Sequence, residues 1–398
     1  MIRLPTLLLY CQHSLGMGHL TRSFAIAAAL SKDFRVVFLN GGPLPANSRI
    51  PHAVEIENLP PLGMEDGHHL VSRGELQLAH AKQRRRQAIT EIFRNLQPDV
   101  LLIELFPFGR KKFAFELLPL LKAARQRTKG TALVICSLRD ILVGTRPDQQ
   151  HHDERARWIT DRYFDAVLVH ADPRFAKLGE TFQPAKPLKT PVRYTGFVVP
   201  EKIPTPLPAR GTHVLVSAGG GAAGHALFAA AIHAQATLWK QYRIPMRLIA
   251  GPLLPEPQWQ RLRELATGRE GMELVRSVPD MAAEFQSAGL SLSQCGYNTA
   301  LEIVQSGVRA LVVPYAEGRE DEQMNRARRL ETLGVIRILD PAGISAARLA
   351  AEMSMTTNGP SPQLALDMSG AANTSRILKQ MLGAESCEIT SSEWAVSA

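Results

Sequence analysis

Short, nearly continuous apolar runs, set between longer stretches with helical spacing, recur along the whole chain. In the first half these runs are TLLLYC (6–11), RVVFLN (35–40), DVLLIEL (99–105), ALVICSL (132–138) and AVLVH (166–170). Such runs suit strands covered on both faces, and strands separated by helices point to parallel βαβ sheets. The stretches TRSFAIAAALSK (21–32) and GELQLAHAKQRRRQAITEIFRNL (74–96) are predicted as two of the intervening helices.

The alternation then breaks. VVPEKIPTPLPARGTH (198–213) holds four prolines and reads as an interdomain linker. Beyond it the pattern restarts with HVLVSAGGG (213–221), MRLIAG (246–251), MELVRSV (272–278), LSLSQCG (290–296), ALVVPY (310–315) and VIRIL (335–339). The predicted fold class is α/β, with two doubly wound, Rossmann-like parallel-sheet domains over 1–203 and 204–366 facing across a cleft. A last helix over 367–383 is expected to pack back on the first domain, and 384–398 to form a mobile tail. The length of 398 residues fits two cores better than one.

Composition narrows the class. The apolar start LPTLLLYC is too short to span a bilayer and lacks a signal-peptide cleavage pattern, and no run of 18 apolar residues occurs. Cys11, Cys136, Cys295 and Cys387 lie far apart with no CxxC pair, which suggests neither a disulfide framework nor a thiolate zinc site. The net charge of +9 is uneven: residues 1–205 carry +10 and residues 206–398 carry −1. The first half is therefore expected to meet an anionic partner. Its basic clusters Arg84-Arg85-Arg86 and Arg110-Lys111-Lys112, the latter beside Phe106, Phe108, Phe113 and Phe115, suggest a bilayer surface.

Two glycine turns each end a strand and open a helix. The first, Gly16-Met17-Gly18-His19-Leu20-Thr21, lacks the third glycine of a dinucleotide fingerprint, and the second strand ends in Asn40-Gly41-Gly42 instead of an acidic residue. The glycines still let a helix N-terminus approach an anion, with His19 at its start and Arg22 at i+3 expected to face the cleft. The second turn, Ser217 to Gly224, is no Walker loop, since no Gly-Lys-Ser/Thr follows.

The stretch SLSQCGYNTALEIVQSGVRALVVPYAEGREDEQMNRARRLETLG (291–334) is the most informative. A strand leads into Gly296, and a helix opens near Asn298 or Thr299. Its free N–H groups and the Thr299 hydroxyl suit a phosphate. Glu302, one turn inward, is placed to accept hydrogen bonds from the vicinal hydroxyls of a ribose.

On these residues the chain resembles the family 28 glycosyltransferases of GT-B fold, typified by the enzyme that adds N-acetylglucosamine to the peptidoglycan lipid carrier. It also looks like a bacterial glycosyltransferase group in which ELFPFGR, SLRDIL and FDAVLVHADPR (104–110, 137–142, 164–174) are familiar. The resemblance implies transfer of a sugar from a UDP-sugar, with inversion, and without metal or cofactor, to an acceptor that is lipid-linked or anionic and not nucleic acid. It implies a cytoplasmic protein, peripheral on the inner face of the membrane. Gly296, Asn298 and Thr299 would border the donor diphosphate, Glu302 the ribose, the Val278 backbone the uracil, and Gln323 the donor sugar. The Gly219 and Gly220 loop would face the diphosphate or the acceptor, with Gly16, Gly18 and Arg22 on the acceptor side.

Three positions depart from the family. Glu322 stands where it has His or Gln, Arg326 where it has Asn, and Gly220 where it has Ser. The general base is expected to be His19, with Glu104 and Asp140, each at a strand carboxyl end, as the other candidates. HHDE (151–154) reads as a polar helix start in preference to a metal cluster. Two further readings stand beside the transferase. One is a UDP-sugar hydrolase, whose Gly-x-Gly-His-x-x-Arg turn resembles Gly16 to Arg22. The other is a non-catalytic nucleotide-sugar-binding protein.

Overall fold

In the computed structural model the chain builds two parallel sheets that meet at their carboxyl edges. The structure describes residues 3–13, 18–44, 50–65, 69–126, 132–201, 210–221, 224–315, 321–340, 343–356 and 364–393, with side chains to 352 and over 364–383. Pro204, Pro206 and Pro208 of the expected linker and Gly16 of the first turn lie outside these residues.

The strands of the first half are β1 (Thr6–Cys11), β2 (Arg35–Asn40), β3 (Val54–Asn58), β4 (Leu62–Glu65) and β5 (His69–Ser72). They continue with β6 (Val100–Glu104), β7 (Leu133–Arg139), β8 (Ala166–His170) and β9 (Val192–Tyr194). Those of the second half are β10 (Val214–Ser217), β11 (Met246–Ile249), β12 (Met272–Val275), β13 (Leu290–Ser293), β14 (Arg309–Val312) and β15 (Ile336–Ile338). Helices of the first half are α1 (Gly18–Leu30), α2 (Leu78–Leu96), α3 (Ala114–Arg125) and α4 (Gln149–Tyr163). In the second half come α5 (His225–Tyr242), α6 (Glu256–Ala266), α7 (Met281–Ser287) and α8 (Tyr297–Ser306). The chain closes with α9 (Glu322–Thr332), α10 (Ala346–Thr356) and α11 (Gly370–Glu393).

The first sheet runs β3-β2-β1-β6-β7-β8-β9 and the second β12-β11-β10-β13-β14-β15. All pairings within both are parallel. The order reverses between β1 and β6, and again between β10 and β13. Each reversal opens a crevice at the strand carboxyl ends, where α/β sheets bind ligands.

The apolar runs become buried strands because helices cover both faces of each sheet. Leu7, Leu8, Leu101, Leu102, Leu215 and Leu292 are wholly buried. Strands in the second half stop earlier than their apolar runs. AGGG, AG and QCG leave the ladder to form the turns at the carboxyl edge. β3, the hairpin β4–β5 and β9 lie outside the predicted strands. α11 packs on α1, with Lys379 Nζ 2.7 Å from Asp33 Oδ1 and the Ser375 hydroxyl 2.7 Å from Asp33 Oδ2. It continues through Glu393, where a tail is expected from 384.

The expected membrane face is corrected. Phe106, Phe108 and Phe113 are at most 2% exposed and belong to the core, and Phe115 packs partly buried against it. Arg85 is also wholly buried. It falls on the inward stripe of α2 with Ala81, Ile89 and Phe93. There its guanidinium donates to Glu116 Oε1 and Oε2 at 2.6 and 2.8 Å, to Gln12 Oε1, and to the carbonyls of Gly41 and Pro60. Arg84, Arg86, Lys111 and Lys112 remain exposed. No helix among the described residues is long and apolar enough to cross a membrane.

A buried pair stripped of one partner leaves an uncompensated charge in the core. Arg85→Ala should therefore lower the stability of the first domain by about 3–5 kcal/mol in denaturant unfolding. Arg84→Ala, one residue away and exposed, should change it by less than about 0.5 kcal/mol.

Candidate functional site at the meeting of two sheet edges

The reversal point of the first sheet holds an ionic cluster. Glu104 ends β6, and α1 begins beside it at Gly18. His19 Nδ1 lies 2.5 Å from Glu104 Oε1, and Arg22 Nη2 donates to the same oxygen at 2.6 Å. Arg110 Nε stands 3.9 Å from Glu104 Oε2. Glu104 and Arg22 are each 1% exposed, while the His19 side chain keeps 17%. Burial alone would raise the Glu104 carboxyl. His19, Arg22 and Arg110 outweigh it and hold the group well below the usual carboxylate range. Burial lowers His19 to about 3 against the pull of Glu104, with Arg110 and Arg22 acting in the same direction as burial. The imidazole is thus neutral. An ionised carboxylate only accepts, and its 2.5 Å contact with Nδ1 is far shorter than the 3.3 Å approach of Arg22 Nη2, so the His19 proton sits on Nδ1 and points at Glu104. Among the described residues nothing bonds Nε2, which is the basic nitrogen of this tautomer.

Two expectations change here. Arg22 does not face the cleft: its guanidinium is buried between Glu104 and the Tyr297 ring, 5.1 Å from the ring centroid. Glu104 is not an independent base but the partner that orients His19.

The second sheet contributes the facing wall. The β10 turn bends through Gly219 (φ 59°) and Gly221 (φ 92°), conformations that favour glycine. A Cβ on Gly221 would lie 2.2 Å from the Ala250 carbonyl oxygen. Gly220 lies between them, and its carbonyl accepts from the Leu253 amide at 2.8 Å. At the end of β13, Gly296 is the extended N-cap of α8, with no side-chain cap and open space where a Cβ would stand. The first amides of α8 therefore lack intrahelical partners. The two glycine turns converge on this helix start. A Cβ built on Gly18 would lie 4.0 Å from Asn298 Nδ2, and one on Gly219 would lie 3.9 Å from Thr299 Oγ1. Thr299 is buried and Asn298 half-buried.

Glu302 sits one turn further along α8. Burial, with a smaller push from Asp280, raises its carboxyl to about 8. Val278, half-buried in the loop after β12, packs against the core. Gln323, at the start of α9, accepts at Oε1 from the amides of Cys295 (3.0 Å) and Tyr315 (3.1 Å). That fixes its side chain where β13 and β14 end.

Asp140 is corrected as a base candidate. It is 1% exposed, and Arg326 takes both of its oxygens at 2.8 Å from across the domain junction. Its neighbour Arg139 donates to Glu322 Oε1 at 2.7 Å. The family departures Glu322 and Arg326 thus both bind the first domain. Pattern reading also missed Tyr297. It donates to the His170 carbonyl and accepts from the Val198 amide, each at 3.0 Å, and so joins the domains at the start of α8. Asp153 of HHDE accepts from Gln149 and the Gln183 amide, and no group that could hold a metal occurs among the described residues.

Residues 214–381, the second sheet and the start of α11, match the family described as Glycosyltransferase family 28 C-terminal domain. The UDP-N-acetylglucosamine–N-acetylmuramyl-(pentapeptide) pyrophosphoryl-undecaprenol N-acetylglucosamine transferase of Hahella chejuensis is 34% identical over 102 residues, 26% of this chain and 28% of that protein. The same enzyme of Solibacter usitatus is 28% identical over 152 residues, 38% of this chain and 40% of that protein. The chain thus spans less than half the length of these curated relatives. Among solved structures, MurG of Acinetobacter baumannii superposes with a TM-score of 0.54 at 16% identity, covering 94% of this chain and 100% of that one. The Arabidopsis thaliana protein UGT89C1, solved with quercetin, gives 0.61 at 15% identity, covering 96% and 100%. The fold is GT-B.

The neutral His19 can be tested directly. In histidine-labelled protein, the His19 signal, assigned by its loss in His19→Gln, should show Nδ1 protonated and no titration between about pH 5 and 8. A midpoint near 6.5 would contradict the arrangement. The sign for stability follows. His19 and His170, both lowered to about 3, favour the fold fully above the unfolded value. That contribution should be lost progressively as pH falls from about 6.5 toward 3.

Proposed function

We propose that the protein transfers a sugar from a UDP-sugar to a hydroxyl acceptor, with inversion and without a metal. The observation that carries this reading is the His19–Glu104 pair at the start of α1 standing beside the open N-terminus of α8, where a Cβ on Gly18 would lie 4.0 Å from Asn298 Nδ2. The acceptor oxygen loses its proton to His19 Nε2 and attacks the anomeric carbon. The bond from that carbon to the diphosphate breaks on the opposite face, and UDP leaves. The α8 amides and the Gly219–Gly221 turn would stabilise the departing charge, a role that low dielectric strengthens. Glu104 stabilises the imidazolium that forms, as a buried carboxylate does for a histidine base. Gly296, Asn298 and Thr299 would take the diphosphate, Glu302 the ribose, the Val278 backbone the uracil, and Gln323 the sugar.

The relatives whose names include a UDP-N-acetylglucosamine donor and an undecaprenol-linked acceptor support this class of substrates. The net +10 of residues 1–205 supports an anionic, lipid-linked acceptor on the first domain and attachment to the inner face of the membrane. An ionised Glu302 accepts the two ribose hydroxyl bonds more strongly than its neutral acid would.

Two outcomes test this. His19→Ala should lose about 100- to 10,000-fold in turnover while binding UDP as the parent does. Equal loss of binding and turnover would make His19 a donor ligand instead. Glu302→Ala should weaken UDP by roughly 1.5–3 kcal/mol in calorimetry. Because the free carboxyl titrates at about 8 and ribose favours its charged form, parent affinity should rise with pH up to about 8. Glu302→Gln should flatten that rise, and an unaltered pH profile would remove Glu302 from the site.

A further inference from the structure

The two departures in α9, Glu322 and Arg326, flank Gln323 and reach into the first domain. Arg326 is 1% exposed. Its Nε and Nη2 grip Asp140 side-on at 2.8 Å each, and its Nη1 donates to the Cys295 carbonyl at 2.9 Å. The Cys295 amide donates in turn to Gln323 Oε1 at 3.0 Å. The backbone of Cys295, just past β13, is therefore held on both sides. Its carbonyl is tied to Asp140 of the other domain through one guanidinium, and its amide is tied to Gln323. A bidentate guanidinium–carboxylate pair fixes both distance and plane, which a single hydrogen bond does not. The Tyr315 amide, at the end of β14, bonds the same Gln323 oxygen at 3.1 Å. With Oε1 doubly occupied, only the Nε2 face of Gln323 is left to donate to a ligand.

From this chain of contacts we infer that Asp140 is a positioning residue for donor-sugar recognition. It holds Gln323 in register through Arg326 and Cys295, so the sugar is read only when the two domains are docked. The inference deepens the proposed donor site and rests on Gln323 facing the sugar. It gives a role to Arg326 that an asparagine is too short to fill. It also predicts that nucleotide and sugar recognition separate. Glu302 and Thr299 lie on α8, which is tied to the first domain through Tyr297 and not through Arg326, whereas Gln323 answers to Asp140.

The test uses the full chain in three forms. Asp140→Asn keeps the shape and removes the charge. The double variant Asp140→Leu with Arg326→Met replaces both partners by apolar groups, a change that buried pairs often tolerate without unfolding. Gln323→Ala removes the reader itself. Two measurements are made: hydrogen exchange at the Cys295 and Tyr315 amides, and affinity for UDP against UDP-N-acetylglucosamine, UDP-glucose and UDP-galactose. In both clasp variants the two amides should exchange about tenfold faster or more, as expected for one lost hydrogen bond. UDP affinity should stay within about twofold, while the gain from the best-bound sugar should fall about tenfold. Adding Gln323→Ala to Asp140→Asn should cost nothing further. Unchanged exchange at both amides would overturn the coupling whatever the ligand. So would a sugar-dependent gain that survives in the clasp variants but vanishes in Gln323→Ala. A parent protein that binds UDP but gains nothing from any of the sugars would overturn the reading of Gln323, and this inference with it. Failure to bind UDP at all would overturn the proposed function, and the exchange measurement would still decide whether Asp140 holds the peptide.

Discussion

A carboxylate buried at the end of β6 sets the terms for the first domain's side of the cleft. Glu104 is 1% exposed, and a charge taken out of water must be met by partners of opposite sign. Arg22 meets it at 2.6 Å and is itself buried, so the arginine needs cover in turn. That cover is the face of Tyr297, which belongs to the other domain. His19 completes the set with its Nδ1 on the same carboxylate oxygen. The orientation of the His19 imidazole therefore depends on a side chain from each domain.

The same tyrosine ties this cluster to the start of α8. Its hydroxyl is held by the His170 carbonyl and the Val198 amide, and its ring lies 5.9 Å from that of Phe197. His170 is fixed in turn between Ser137 Oγ at 2.7 Å and Thr195 Oγ1 at 2.8 Å. The carbonyl that receives Tyr297 thus sits in a rigid, wholly internal frame. Reaction between two bound groups is sensitive to displacements of about 1 Å. A helix whose first residue is bonded into the opposite domain holds its N-terminus at a fixed distance from His19. The junction serves as part of the site's geometry, beyond joining two folding units.

Much of this was legible in the sequence, and the limits have physical causes. Runs such as TLLLYC and AVLVH became strands with the same ends, because apolar continuity in both neighbours and faces leaves a strand few alternatives. β3, VEIEN, escaped because an edge strand exposes one side and its charges interrupt the run. The glycine turns placed the crevices, since Gly219 and Gly221 need conformations that other residues avoid. The phenylalanines of 106–115 and the arginines of 84–86 misled in the same way. Clustering along the chain says nothing of which side faces water, and helical spacing from Ala81 to Phe93 carries Arg85 inward while its neighbours stay outside. Glu104 and Asp140 read alike, each an acidic residue at a strand's carboxyl end. They differ in the arginine the fold brings to each and in the His19 imidazole that meets Glu104.

Glu322 and Arg326 show where local pattern stops. Four residues apart on a helix, a glutamate and an arginine read as a surface pair that supports the helix by a few tenths of a kcal/mol. In the folded chain each turns outward from α9 to a neighbour of opposite charge at the end of β7, so that Arg139 and Asp140 are matched in reverse polarity. Two adjacent residues on one element and two at i,i+4 on another can pair only if strand end and helix face meet in one orientation. The complementarity carries docking information that neither segment shows alone. Charges at these positions fasten α9 and the ends of β13 and β14 to the first domain. What distinguishes this chain there is thus the partner that α9 is fastened to.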